Sequence, residues 1–179
     1  NLSDLAAMGA QARWFTLALS LPEADEPWLV EFTRGLRELA QASDVALVGG
    51  DTTRGPLTLT ITAMGTVPAG QALLRSGARP GDAIFVSGTL GDAALALRQW
   101  QGGSAVRTAR EKQLRQRLDR PTPRLALGLA LRGIASAAID LSDGLAGDLG
   151  HILAASGVGA SLDAQALPMS DAFADLVPD

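Results

Sequence analysis

The sequence predicts a mixed fold, α+β or layered α/β, made of two successive parts. Residues 56–65 alternate apolar side chains with threonines, which is the period of a strand with two unlike faces. Several other segments repeat their apolar residues every three to four positions, which is the period of a helix. Residues 68–82 contain two prolines and three glycines, so we expect a linker between residues 1–67 and residues 83–179.

The elements expected in the first part are two helices followed by two strands. Ser3 is the expected N-cap of the first helix, and Pro27 suits the first turn of the second. The first strand, VALVG, is expected to be buried, and the turn-like DTTRG that follows predicts a hairpin with the second strand. The helices are marked by Leu2, Leu5, Met8 and Ala12 and by Trp28, Phe32, Leu36 and Leu39, and the strands lie at 45–49 and 56–65.

Strands and helices are also expected to be mixed in the second part. The strands are expected at residues 83–88, 136–141 and 158–163. The helices are expected at about 93–100, 107–118, 123–132 and 144–157, the last of them ended by a glycine, with a short helix before the final LVPD. Because the chain starts on a helix cap and stops at LVPD, we expect it to be part of a longer protein.

Composition narrows the classes of function. The chain has 179 residues, of which 47% are apolar, and this is enough for a sizeable core. Within this stretch, the absence of cysteine excludes disulfides and thiolate metal sites, and the single histidine, His151, excludes a zinc site made of several histidines. The net charge of −4 argues against broad electrostatic binding to nucleic acid or to anionic membranes.

Neither membrane insertion nor export is expected. The longest apolar run, residues 125–131, is far too short to cross a bilayer. The first residues do not have the charged and then apolar pattern of a signal peptide. We therefore expect a cytoplasmic enzyme or binding domain.

The motif IDLSDGL carries the strongest chemical signal. Asp140 and Asp143 flank Ser142 where a predicted strand gives way to a glycine-containing turn and a helix. A turn after Leu141 can bring the two carboxylates together, although they repel one another and are costly to bury unpaired. A divalent cation that prefers oxygen ligands removes this conflict, and Mg²⁺ takes carboxylates, waters and phosphate oxygens.

A similar arrangement recurs at GGDTTRG. Asp51 follows a predicted strand and precedes two threonines, and Gly49 and Gly50 would let a phosphate approach the backbone closely. Asp4 would supply a further carboxylate. Taken singly, Asp51 and Asp140 are as consistent with turn-capping residues as with metal ligands, and Asp4 is more consistent with a helix first turn. Only the combination favours a magnesium–phosphate site.

These motifs together resemble the thiamine-monophosphate kinase family. That family is similar to aminoimidazole ribonucleotide synthetase and belongs to the same ATP-binding superfamily. NLSDLAAMGA and IDLSDGL occurring in one chain are more restrictive than a lone glycine-rich pattern. The resemblance runs in order from Asn1 to about Ser170 and is carried by NLSDLAAMGA, GGDTTRG, RSGARPGD with IFVSGTLGDAALAL, PTPR, and IDLSDGLAGDLGHI with SGVGA.

The resemblance implies a two-domain aminoimidazole ribonucleotide synthetase-like fold. Residues 1–67 would be part of an N-terminal ATP-binding domain that dimerises through its sheet, giving a homodimer. Residues 83–179 would be part of a C-terminal α/β domain. The polar face of the strand at 56–65 lies where such an interface would run.

The resemblance also implies transfer of the γ-phosphoryl group of ATP to thiamine monophosphate. The acceptor is a phosphate oxygen that is already ionised at neutral pH, so no catalytic base is expected from the protein. By similarity, the residues that contact ATP would be Gly50, Asp51, Arg75 and Ser142, and the Mg²⁺ ligands would be Asp4, Asp51, Asp140 and Asp143.

The chain departs from the family pattern in its extent. The family's upstream acidic GDDAA-type motif, a nearby histidine that contacts substrate, and its downstream thiamine-ring residues are not in the sequence. Two alternatives stay open. One is another ATP-using enzyme of the superfamily, of the aminoimidazole ribonucleotide synthetase or selenophosphate synthetase type. The other is a nucleotide-binding dimerisation module without catalysis.

Overall fold

The chain folds into two compact units in the computed structural model, which describes residues 1–177. The first unit combines Asn1–Gly77 with Arg124–Asp140, and the second combines Ala78–Pro123 with the chain from Leu141 onward. The elements in chain order are α1 (Leu2–Ala7), β1 (Gln11–Leu21), α2 (Glu26–Ala42), β2 (Ala46–Arg54), β3 (Thr58–Thr66), α3 (Asp92–Gln101), α4 (Ala109–Asp119), α5 (Leu125–Ala130), α6 (Leu145–Ser156), a 3₁₀ turn (Ala164–Ala166) and α7 (Asp171–Ala174).

Each of the two units is made of two separate stretches of the sequence. The sequence predicts a division at a linker, residues 68–82, whereas residues 124–140 return to pack with the first unit. Part of the predicted linker is itself packed. Leu73 is buried, and its backbone N–H donates to the carbonyl of Met8 at 3.0 Å.

The first helix is shorter than its apolar pattern suggests. Asn1, not Ser3, is the N-cap of α1, and the helix ends at Ala7. Gly9 then adopts a left-handed φ of +64°, which turns the chain into a strand. Ala12, counted in the helical pattern, therefore belongs to β1, a strand that the sequence did not predict.

The sheet of the first unit has the strand order β2-β1-β3. Strand β1 pairs in parallel with β2 and antiparallel with β3, so it lies between them. The predicted hairpin of β2 and β3 is therefore wrong: DTTR continues β2 instead of forming a turn. The burial predicted for VALVG is also wrong, because residues 46–49 are exposed and Val45 is only partly buried.

The alternating strand and the second helix are confirmed. Helix α2 begins at Glu26 with Pro27 in its first turn, and Asp25 caps it by accepting from the N–H of Trp28. The rings of Trp28 and Phe32, one turn apart, stack with centroids 5.1 Å apart. The buried apolar residues of this unit are Ala6, Ala10, Ala12, Phe15, Leu19, Leu21 and Leu73.

In the second unit, α3, α4 and α7 pack around a small core. Leu114 of α4 is fully buried, with Ala96 and Ala172 beside it. Helix α4 begins with a capping box, in which Glu111 accepts from the N–H groups of Arg107 and Thr108. These N–H groups hold the pKa of the Glu111 carboxyl below its usual range. All the helices predicted between residues 93 and 157 are confirmed.

The three strands predicted beyond residue 82 are wrong, because residues 83–88, 136–141 and 158–163 form no strand in the structure. A strand requires a neighbour that supplies its hydrogen-bond ladder, and a local apolar pattern does not report whether such a neighbour exists. Phe85 illustrates this, since it is 88% exposed. Among the described residues, no helix has the length and apolar character needed to span a membrane.

Candidate functional site

Asp51 lies within a strand and not in a turn. It belongs to β2, which continues to Arg54, and it pairs with Ala18 of β1. Its side chain is exposed, and its Oδ1 accepts a hydrogen bond of 2.9 Å from the backbone N–H of Thr52. The turn-forming interpretation of Asp51 is therefore wrong, and the strand holds the carboxylate at the surface of the first unit.

Gly50 is required by the sheet. Its φ is +152°, and a Cβ atom at this position would lie 1.9 Å from the backbone oxygen of Leu17, its partner in β1. Gly49 has open space where its Cβ would be. The parallel pairing with β1 thus explains one glycine of the pair, whereas the predicted contact of Gly50 with ATP stays a prediction.

Residues 141–144 of the IDLSDGL segment form an exposed loop that enters α6. The backbone N–H groups of Ser142 and Asp143 both donate to Oδ2 of Asp148, at 2.9 and 3.1 Å. Ser142 and Asp143 are exposed, whereas Asp148 is only 3% exposed. The loop therefore presents a hydroxyl and a carboxylate to solvent while its backbone is tied to a buried side chain.

Asp148 was not predicted from the sequence as a functional residue. Leu145, Asp148, Leu149 and Ile152 have the helical spacing of a single face. A carboxylate on the apolar face of a predicted helix is a signal, because carboxylates are almost never fully buried unless they are paired.

The remaining predicted site residues are distributed along the chain. Asp4 lies in the first turn of α1 with its side chain 65% exposed, Asp140 is partly buried in an irregular segment, and Arg75 is exposed. Asp4, Asp51 and Asp140 belong to the first unit, and Asp143 belongs to the second.

The donor chemistry of the predicted metal ligands fits Mg²⁺, which prefers carboxylate oxygens. Asp4, Asp51 and Asp143 are exposed and so are open to a ligand. Over residues 1–177 the structure brings no group of three or more acidic or histidine side chains close enough together to hold a metal ion. The set of metal ligands therefore stays a prediction.

A second buried carboxylate, Asp92, serves the fold of the second unit. It is 3% exposed at the start of α3 and accepts from the hydroxyls of Thr89 and Ser170 at 3.0 and 2.6 Å. The Nε atom of Arg117 lies 3.8 Å away. These partners tie α3 to α4 and to the cap of α7, so the role of Asp92 is structural.

Two family models match the sequence. The N-terminal domain of AIR synthase related protein matches residues 1–67, and the C-terminal domain of the same family matches residues 79–176.

The thiamine-monophosphate kinase of Salmonella typhimurium is 58% identical over the whole of this chain and 55% of its own length. That of Escherichia coli K12 is 54% identical over 97% of this chain and 54% of its own length. The chain thus spans about half the length of these relatives.

Solved structures share the fold. The thiamine-monophosphate kinase of Stenotrophomonas maltophilia K279a matches with a TM-score of 0.95 and 59% identity, over 99% of this chain and 58% of that one. AaThiL, solved in complex with AMPPCP and TMP, matches with a TM-score of 0.89 and 32% identity, over 97% of this chain and 56% of that one. The predicted fold class and resemblance are confirmed. The chain belongs to the AIR synthase related protein family, whose thiamine-monophosphate kinases it resembles along its whole length.

Proposed function

We propose that the whole protein containing this chain is a kinase that transfers the γ-phosphoryl group of ATP to thiamine monophosphate, giving thiamine diphosphate and ADP. The observation that carries the proposal is the similarity over 97% of the chain to a protein solved with AMPPCP and TMP, in which we read TMP as thiamine monophosphate. The similarity of almost all of this chain to about half the length of the thiamine-monophosphate kinases of Salmonella typhimurium and Escherichia coli K12 supports the same activity.

The proposed nucleotide contacts are made by residues of both motifs. The hydroxyl of Ser142 and the carboxylate of Asp143 project from a loop whose backbone is fixed, and the exposed carboxylate of Asp51 projects from β2. Arg75 would place a positive charge against phosphate oxygens. The residues proposed to contact ATP are Gly50, Asp51, Arg75 and Ser142.

The proposed metal ion is Mg²⁺. Its ligands are proposed to be Asp4, Asp51, Asp140 and Asp143. When bound, the ion would offset the charge of the phosphate oxygens, which otherwise repel the anionic acceptor. The chain's carboxylates would hold and orient the bound ion and would take no proton, because the acceptor oxygen is ionised at neutral pH. Hence we propose no catalytic acid or base in this chain.

The assembly and location are part of the same proposal. We propose a cytoplasmic homodimer that forms through the sheet of the first unit. Trp14, Leu47 and Leu59 on that sheet are 44%, 53% and 42% exposed, and large exposed apolar side chains are typical of interfaces. Light scattering of the full-length protein should give twice the mass of one chain, and a monomer at micromolar concentration would contradict this proposal.

A coupled assay of ADP release tests the activity. We expect the full-length protein to release ADP from ATP only when both Mg²⁺ and thiamine monophosphate are present. Omitting thiamine monophosphate is the control that separates a kinase from an ATPase with another acceptor. ADP release that does not depend on thiamine monophosphate would overturn the proposal.

Replacing Arg75 with alanine should weaken ATP binding more than binding of thiamine monophosphate. A hydrogen bond to a charged group contributes about 1.5–3 kcal/mol, so the dissociation constant for ATP should rise by about 10-fold to 100-fold. Calorimetric titration of the full-length variant with each ligand measures both changes. Arg37→Ala, which removes the same charge from the exposed side of α2, is the matched control and should leave both affinities unchanged. An equal loss of affinity for both ligands would exclude a nucleotide role for Arg75.

A further inference from the structure

Asp148 is a buried carboxylate to which the proposed reaction gives no role. It is 3% exposed within α6, on the same face as Leu145, Leu149 and Ile152. Burying a carboxylate is costly unless its oxygens accept hydrogen bonds. The bonds that Asp148 accepts come from the loop preceding its own helix, at Ser142 and Asp143.

The arrangement fixes the backbone of that loop. One oxygen, Oδ2 of Asp148, receives consecutive N–H groups at 2.9 and 3.1 Å, so it sets the orientation of both peptide units. The N–H of Asp148 in turn donates to the carbonyl of Gly144 at 3.0 Å. Gly144 has a φ of +102°, which lets the chain turn sharply from the loop into α6.

The backbone N–H groups and the side chains of the loop have different roles. The N–H groups of Ser142 and Asp143 are occupied by Asp148 and are therefore not the groups that would meet a phosphate. The Ser142 hydroxyl and the Asp143 carboxylate are exposed, and both belong to the proposed nucleotide and metal contacts. Their directions depend on the backbone that Asp148 holds.

We propose that Asp148 is a positioning residue that fixes Ser142 and Asp143 in the conformation that receives Mg–ATP. The inference rests on the proposed function, because it assigns the positioned groups to that ligand. In this role Asp148 acts through the two backbone N–H groups and needs no contact of its own with nucleotide or metal. The conformation of the loop depends on these hydrogen bonds and not only on the negative charge of Asp148.

The competing explanation is that Asp148 only stabilises the second unit. Asp92 provides the comparison, because it is equally buried in the same unit and accepts bonds from side-chain hydroxyls of Thr89 and Ser170. Replacing a purely structural carboxylate would lower the melting temperature without changing the affinity for the nucleotide. Replacing a positioning carboxylate would lower the affinity as well.

The test is a calorimetric titration of full-length variants with ATP at constant Mg²⁺. Asp148→Ala should weaken ATP binding by about 10-fold to 100-fold, the range seen when a group that orients a metal ligand is removed. Asp148→Asn keeps an acceptor oxygen and should recover most of the affinity, although its buried amide N–H groups should lower the melting temperature. Asp92→Ala should lower the melting temperature and leave ATP affinity unchanged, and affinity for thiamine monophosphate should not change in any variant.

Amide hydrogen exchange without ligand gives a second readout. The amides of Ser142 and Asp143 should lose protection in Asp148→Ala and keep it in Asp148→Asn. If the alanine variant does not fold, Asp148→Ser replaces it, since the shorter side chain does not reach both amides. Wild-type ATP affinity in Asp148→Ala, or an equal loss in Asp92→Ala, would overturn the positioning role. Failure of the wild-type protein to bind Mg–ATP would instead overturn the proposed function, while protection of the two amides would still show whether Asp148 holds the loop.

Discussion

Replacing Gly50 with alanine should destabilise the first unit more than adding a methyl group at any other position of the GGDTTRG segment. The new Cβ would lie 1.9 Å from the carbonyl oxygen of Leu17, and the φ of +152° is one that residues with a side chain rarely adopt. Strained backbone alone costs about 1–3 kcal/mol, and separating β2 from β1 adds to it, so we expect a loss of about 3–5 kcal/mol.

The matched control is Gly49→Ala. The adjacent residue lies in the same strand, has no atom within 4 Å of its Cβ position and does not have a positive φ. Its substitution should change stability by less than about 1 kcal/mol. Urea denaturation of the full-length variants measures both values. Equal stabilities of the two variants would show that the close approach of Gly50 to Leu17 does not constrain the sheet.

Replacing Asp143 with asparagine should abolish most Mg²⁺-dependent ATP binding while leaving the fold intact. The side chain is exposed, and its backbone N–H bond to Asp148 does not involve the carboxylate, so folding should not depend on the charge. Loss of one of the proposed Mg²⁺ ligands should weaken ATP binding in the presence of Mg²⁺ by about 100-fold, equivalent to roughly 3 kcal/mol. Calorimetric titration of the full-length protein gives this value directly.

Asp171→Asn is the control for the charge itself. Asp171 is an exposed carboxylate in the first turn of α7, in the same unit as Asp143. Its substitution removes the same charge and should leave Mg–ATP affinity unchanged. A nucleotide-binding module that does not use Asp143 as a metal ligand would bind Mg–ATP equally well in both variants.

Local sequence patterns predicted the helices well. Helix α2 has Pro27 in its first turn, and α6 is capped at its C-terminus by Gly157 in a left-handed conformation, so the signals lie in the residues at the helix ends. The order of the strands was not predictable in the same way. Strand β1 follows so closely after Gly9 that its first residues extend the helical pattern of α1, and the parallel pairing of β1 with β2 involves residues more than thirty positions apart.

Of the candidate site, only the exposed side chains could be predicted from the sequence. The acidic motifs identified Asp51 and Asp143, and the structure places both side chains at the surface. The part played by Gly50 depends on Leu17 in a neighbouring strand, and the hydrogen bonds accepted by Asp148 depend on how the loop enters α6. Such contacts are set by the folded chain, so motif spacing alone did not reveal them.

The most direct measurement of the proposed activity follows the phosphoryl group itself. Full-length protein would be incubated with Mg²⁺, thiamine monophosphate and ATP that is radiolabelled in its γ-phosphate, and the products would be separated by chromatography. We predict that the label appears in thiamine diphosphate, in an amount equal to the ADP formed. Label recovered as inorganic phosphate, with thiamine monophosphate unchanged, would contradict a kinase and favour a superfamily enzyme that uses ATP on another acceptor.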